Sequence, residues 1–133
     1  MNTHLLSRVK HIRADGWLCE LVSMNHSDDP FSDIHTYLVS ITPKMTRANH
    51  YHKKKEEWIA ATAGIIEITT VDICTNKKEK IVLDTNAEEY SIVHIAPNIA
   101  HSLKNIGNCQ ASVVVFSKTP EDKIDTIPFE VDA

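Results

Sequence analysis

Four side chains in this sequence could close around one divalent cation: His50, His52, Glu57 and His101. His50 and His52 lie two positions apart, so in an extended backbone both imidazoles leave the same face. A carboxylate follows at Glu57, then Gly64, and a second histidine segment, Pro97-Asn98-Ile99-Ala100-His101, lies about forty residues further on. Two imidazoles from one strand, a carboxylate from the next and a third imidazole from a distant strand would make a nitrogen-rich, partly anionic cage. Such a set suits Fe, Mn, Ni, Cu or Zn. A lone His-x-His pair is weak evidence, because eight histidines in 133 positions produce one readily. The case rests on the carboxylate, the glycine and the distant histidine falling into place with it.

The elements that must hold these groups read as strands. Gly16 to Val22 follows a turn at Ala14-Asp15-Gly16, and Ile34 to Thr42 alternates and is rich in β-branched and aromatic residues. Asn25 to Pro30 is a polar loop, and Pro43-Lys44 breaks the chain before the histidine pair. Trp58 to Thr62 and Ile65 to Cys74 flank Gly64, which suits a sharp bend. Thr75 to Lys78 reads as a turn, with Glu79 to Leu83, Tyr90 to Ile95, Ser102 to Asn105 and Ala111 to Ser117 as later strands. His4 to Ile12 is a weak helix candidate, and Pro120 onward reads as an irregular or short helical tail. Eight to ten short strands separated by regular turns predict an all-β sandwich or barrel, taken here as one domain over residues 1–133.

Composition narrows the partners. A formal net charge of −4 gives no reason to expect nucleic acid or an anionic membrane. No apolar run reaches the ~18 residues of a membrane span, and the first residues lack a secretory signal's apolar core. Cys19, Cys74 and Cys109 are odd in number and widely spaced, which fits free thiols in a cytoplasmic protein.

His50-x-His52-x4-Glu57-x6-Gly64 resembles the first cupin motif, and Asn98-x2-His101-x3-Asn105 resembles the second. Ala96 stands where the second motif has proline and Asn98 where it has glycine; asparagine tolerates positive φ, so the turn can survive. The resemblance implies a jelly-roll barrel (a double-stranded β-helix) with one metal in its mouth, Zn, Fe, Ni or Mn, held by His50, His52, Glu57 and His101. Glu56 is the competing carboxylate, one residue off the spacing to Gly64 and directed to the other face.

A narrower resemblance covers most of the chain. Gly16-Trp17-Leu18-Cys19-Glu20, Arg47-Ala48-Asn49-His50-Tyr51 and Pro97-Asn98-Ile99-Ala100-His101 resemble segments of the dTDP-4-dehydrorhamnose 3,5-epimerase family. Thr46 to His52 is closer still to the metal-carrying cupin domain of capsular-polysaccharide reductase–epimerases, and Phe116 to Asp122 echoes the epimerase family's closing segment. The resemblance implies C3 epimerisation of a nucleotide-linked 4-keto-6-deoxy sugar, with Arg47 on the phosphates, Glu20 at the nucleotide base and a homodimeric assembly. Glu20 also reads as a solvent-facing strand residue, Arg47 as a surface ion pair, and Lys53-Lys54-Lys55 as a solvated turn.

Epimerisation beside a ketone needs a base, a stabilised enolate and reprotonation from the opposite face. In the metal-free relatives the residue matching His50 is the base, the catalytic lysine falls where Glu57 stands, and the tyrosine acid falls near Ser117 or Lys118. An imidazole committed to a metal cannot take a proton at the same nitrogen. Proton transfer then falls to Tyr51, Lys118 or a metal-bound hydroxide, and the sequence does not choose among them. Another small metal enzyme, an Fe dioxygenase or a sugar-phosphate isomerase, and a non-catalytic sugar-binding cupin share the same pattern. His94 reads as a packed strand histidine, and His4, His11, His26 and His35 carry no spacing argument. Tyr37 and Trp17 could line a sugar pocket, with core packing the plainer reading.

Overall fold

The computed structural model describes residues 9–23, 25, 27, 33–88, 90–120 and 122–132. Eleven strands run through them: β1 (Lys10–Arg13), β2 (Gly16–Val22), β3 (His35–Ile41), β4 (Thr46–Tyr51), β5 (Glu57–Ala63), β6 (Ile65–Asp72), β7 (Lys78–Asp84), β8 (Val93–Ile95), β9 (Ile99–Asn105), β10 (Ala111–Ser117) and β11 (Ile127–Pro128). They form two antiparallel sheets, ordered β1-β2-β3-β10-β5-β8 and β11-β4-β9-β6-β7. The all-β expectation holds. No helix among the described residues is long and apolar enough to cross a membrane.

Two terminal readings change. The helix considered over His4 to Ile12 is, from Lys10 on, strand β1, paired with β2 from Lys10↔Cys19 to Arg13↔Gly16; residues 4–8 and His26 lie outside the described ones. The tail is not merely irregular: β11 pairs with β4, Ile127 opposite Tyr51 and Pro128 opposite His50.

The sheets face each other across Ile41, Ile59, Ile66, Ile68, Leu103 and Val113, none more than 4% exposed. Alternation builds this layer, because each strand sends every second side chain inward. Gly64 carries the chain from one sheet to the other between β5 and β6. It has φ 81°, and a Cβ there would stand 2.8 Å from the Ala111 Cβ, so only glycine fits. Asn98 takes φ 65°, as its place in a glycine-like turn requires. Asn105 is buried for structural reasons: its side-chain amide donates to the carbonyls of Ile41 and Cys109 and its side-chain oxygen accepts from Gly107 N–H.

Candidate metal centre

The inward faces of β3, β5 and β9 continue past the apolar core into a cavity of about 610 Å³. Val39, Ile59, Leu103 and Val115 form its apolar floor, and His50, Glu57 and His101 stand in its wall. Its size is that of sites that enclose small molecules. With His52, these side chains offer four ligand atoms that all lie within 4.8 Å of one another. His52, Glu57 and His101 are buried and His50 is partly exposed.

Hydrogen bonds fix which atoms face inward. His52 Nδ1 lies 2.8 Å from the Asp125 carbonyl and His101 Nδ1 lies 3.1 Å from the Ile99 carbonyl. A carbonyl only accepts, so both Nδ1 atoms carry the proton and both Nε2 atoms present a lone pair. Each Nε2 sits 3.3 Å from Glu57 Oε1. His52 Nε2 is buried without a hydrogen-bond partner. Two lone pairs and a carboxylate oxygen turned toward one point need a proton or a cation between them, and the donor set fits a divalent metal. The other carboxylate oxygen is already held: Tyr37 Oη donates to Glu57 Oε2 at 2.5 Å, and the Lys55 ammonium lies 3.5 Å from it.

Without a metal, protons take up part of this role. Burial alone would raise the Glu57 carboxyl, but its close pairing with His101 and His52 and the charge of Lys55 reverse that and hold it well below the usual carboxylate range. Burial alone would lower the His52 imidazole, and its pairing with Glu57 and the Asp125 carbonyl lifts it above its ordinary 6.5.

The structure sorts the other expected residues. Glu20 is partly buried and lines the cavity, not a solvent-facing surface. Arg47 lines it too: its side chain is 10% exposed, Nε stands 3.8 Å from Asp15 Oδ2, and the guanidinium donates to the Ser40 carbonyl at 3.4 Å. Tyr51 and Lys118 do not reach the cavity. The Tyr51 ring packs edge-on against Phe129 at 6.1 Å on the far side of β4, and Lys118 is exposed beyond the end of β10. Neither is placed to move a proton there, because Tyr51 is one residue out of phase with His50 and Lys118 lies past the strand. Glu56 points outward as expected, 2.6 Å from the exposed His94, whose ring stacks on Trp58.

Three features were not anticipated. Lys55 is not in a solvated turn but 5% exposed beside Glu57, its ammonium over the Tyr37 ring. His35, two positions before Tyr37 on β3, lines the cavity with it; Tyr37 was considered for a pocket from the sequence, and the shared strand face was a usable signal for His35. Asp125 accepts hydrogen bonds from the backbone N–H groups of Lys53, Lys54 and Lys55. These donors hold its carboxyl below the usual range, against the opposing effect of burial. Nothing in the sequence marks Asp125 out from the chain's other acidic residues.

Among solved structures, the capsular polysaccharide assembling protein CapF from Staphylococcus aureus superposes with a TM-score of 0.81 at 16% identity, over 94% of this chain and 35% of CapF. Oxalate decarboxylase OxdC from Bacillus subtilis, as its E162A mutant, gives a TM-score of 0.74 at 15% identity, over 92% of this chain and 30% of OxdC. The chain thus spans about a third of each, and identities this low establish the fold alone: a cupin jelly roll. No curated protein matches the chain. Residues 11–127 match the family described as the polysaccharide biosynthesis C-terminal domain. That match takes in every strand from β2 to β10 and all four clustered side chains, and on it the chain belongs to the polysaccharide biosynthesis C-terminal domain family.

Proposed function

We propose that this cupin is a metal-dependent isomerase of polysaccharide biosynthesis, epimerising C3 of a nucleotide-linked 4-keto-6-deoxy sugar. The observation that carries the reading is the His50–His52–Glu57–His101 cluster in the wall of a cavity that also holds Arg47. His50, His52, Glu57 and His101 would hold a divalent ion, which would supply Lewis acidity toward the C4 carbonyl of a bound sugar.

The chain's own residues supply the rest. Arg47 offers a planar cation suited to a sugar-nucleotide phosphate, in exchange for part of its pairing with Asp15. The floor of Val39, Ile59, Leu103 and Val115 excludes water from the reacting face. With Tyr51 and Lys118 outside the cavity, Tyr37 Oη is the acid of the cavity wall, placed to deliver a proton to one face of the enolate, while the C3 proton has to leave from the opposite face to a separate base.

The test is hydrogen exchange in D2O with zinc-loaded protein and a nucleotide-linked 4-keto-6-deoxyhexose, followed by proton NMR. Loss of the C3 proton signal, abolished in His101→Ala, is the expected result. Tight binding without exchange would instead support a non-catalytic sugar-binding cupin. Exchange undiminished in His101→Ala would remove the metal from the chemistry.

A further inference from the structure

The turn at residues 122–126 reaches the metal cluster from the far end of the chain and makes two contacts through one residue, one to His52 and one to the loop that joins His52 to Glu57. The Asp125 carboxylate spans three consecutive N–H groups: Oδ1 accepts from Lys53 and Lys54 at 2.8 and 3.2 Å, and Oδ2 accepts from Lys54 and Lys55 at 3.2 and 3.0 Å. The same residue's carbonyl accepts from His52 Nδ1 at 2.8 Å. The chain just beyond is fastened to β4: Phe129 N–H donates to the Asn49 carbonyl at 2.8 Å, and Tyr51 packs on Phe129.

We infer that Asp125 is a positioning residue for the metal centre, its carboxylate fixing the loop between His52 and Glu57 while its carbonyl fixes the His52 ring. The inference rests on the metal reading above. Both ligands flank the loop that Asp125 caps, His52 immediately before Lys53 and Glu57 two residues after Lys55. The carbonyl sets the Nδ1–H tautomer, which leaves Nε2 as the donor toward Glu57 Oε1. Three parallel N–H groups form a concavity that binds an anion well, and the anion here is built into the chain. Without it the loop must turn those N–H groups to water, and His52 loses both its tether and its fixed orientation.

The experiment titrates metal-free protein with Co2+ by absorption spectroscopy and measures Zn2+ affinity by chelator competition. Wild type is compared with Asp125→Ala, Asp125→Asn and Asp84→Ala. Asp84 is the control because its carboxylate also caps a turn, accepting from Asn86 N–H at 2.9 Å, while lying at the opposite end of β6–β7 from Thr70, the partner of His101. Asp125→Ala should weaken Zn2+ binding about 10- to 100-fold and alter the Co2+ visible bands. Asp125→Asn keeps one acceptor oxygen but sets an NH2 donor against the N–H groups that Oδ2 serves, so it should also weaken Zn2+ binding, and it decides the matter should the alanine variant fail to fold. Asp84→Ala should lower thermal stability and leave both metal readouts unchanged. Wild-type affinity and spectrum in Asp125→Asn and Asp125→Ala would overturn the positioning role while leaving the metal centre standing, as would an equal loss in Asp84→Ala. Absence of Co2+ and Zn2+ binding by the wild type would overturn the metal reading itself, and this inference with it.

Discussion

Arg47 and His50 stand three positions apart on β4, yet both line the same cavity. A regular strand would send them to opposite faces. The register with β9 shows how this is avoided: Arg47 is opposite Leu103, Ala48 is opposite Ser102, and His50 is opposite His101, which leaves Asn49 as an extra residue. Leu103 and His101 share the inward face of β9, so the bulge brings Arg47 and His50 onto one face with them. The bulge is built from two left-handed residues, Ala48 at φ 73° and Asn49 at φ 54°.

That geometry makes Ala48 a strained position. Asparagine tolerates left-handed φ, but alanine pays about 1 kcal/mol for it relative to glycine. Ala48→Gly should therefore raise the stability of the metal-free protein by about 0.5–1 kcal/mol, less whatever its methyl gains by packing on the core. Ala48→Val should lower it by more than that and weaken metal binding, because a β-branched residue resists positive φ and the bulge orients His50. Thermal unfolding checks both, and a fall in Tm for Ala48→Gly would show that packing outweighs the strain.

Metal content should follow the cluster. Elemental analysis should find about one metal ion per chain in the wild type, and none in the His50→Ala/His52→Ala double variant or in His101→Ala. The variants should remain folded, since the core of Ile41, Ile66, Ile68 and Val113 lies below the ligands and contains none of them. Circular dichroism of His101→Ala tests that division. An unfolded variant would mean that the ion, not the apolar layer, holds the two sheets together.

Tyr37 and Lys55 should show themselves as supports of Glu57. Both reach Oε2, leaving Oε1 toward the histidines, so the carboxylate is set up to give the metal one oxygen. Tyr37→Phe removes a hydrogen bond to a buried charged group and should cost about 1.5–3 kcal/mol of stability. Lys55→Met should cost a similar amount, because Glu57 stays buried with less compensation. Denaturant unfolding of the metal-free proteins gives the numbers. Neutral substitutions at both sites would mean that the two histidines alone satisfy the carboxylate.

The part of the site legible in sequence is the part fixed by local periodicity. His50 and His52 could be placed on one face, Glu57 chosen over Glu56, and the Gly64 bend foreseen, because each depends only on neighbours and on strand geometry. Asn98 followed from the backbone it had to adopt. Failures came where a distant segment decides the environment. Lys55 sits in a run of three lysines that reads as solvated, and only its meeting with Glu57 and Tyr37 in three dimensions buries it. Tyr51 adjoins a ligand in sequence, but one step along a strand reverses a side chain, and it ends against Phe129. Asp125 acts through hydrogen bonds across seventy or more residues, beyond the reach of any local pattern.

Acid should separate the metal-free and metal-loaded proteins in opposite directions. In the metal-free protein the Glu57 carboxyl is held well below its ordinary 4.5, so its contribution to stability is present above that value and is lost as pH falls through the lowered one. His52 is raised above 6.5, so its contribution is fully present below 6.5 and is lost as pH rises through the raised value. For these two groups, the metal-free protein is best supported between 4.5 and 6.5. Metal binding requires the neutral imidazole, and each proton displaced adds about tenfold in affinity per pH unit until that group is deprotonated. The rise in Tm on adding zinc should therefore be small near pH 5 and grow steadily toward pH 8, as metal affinity increases while the metal-free reference loses the His52 contribution. Scanning calorimetry with and without zinc across that range measures it. A zinc-induced shift of constant size from pH 5 to 8 would rule out protonatable imidazoles as the ligands.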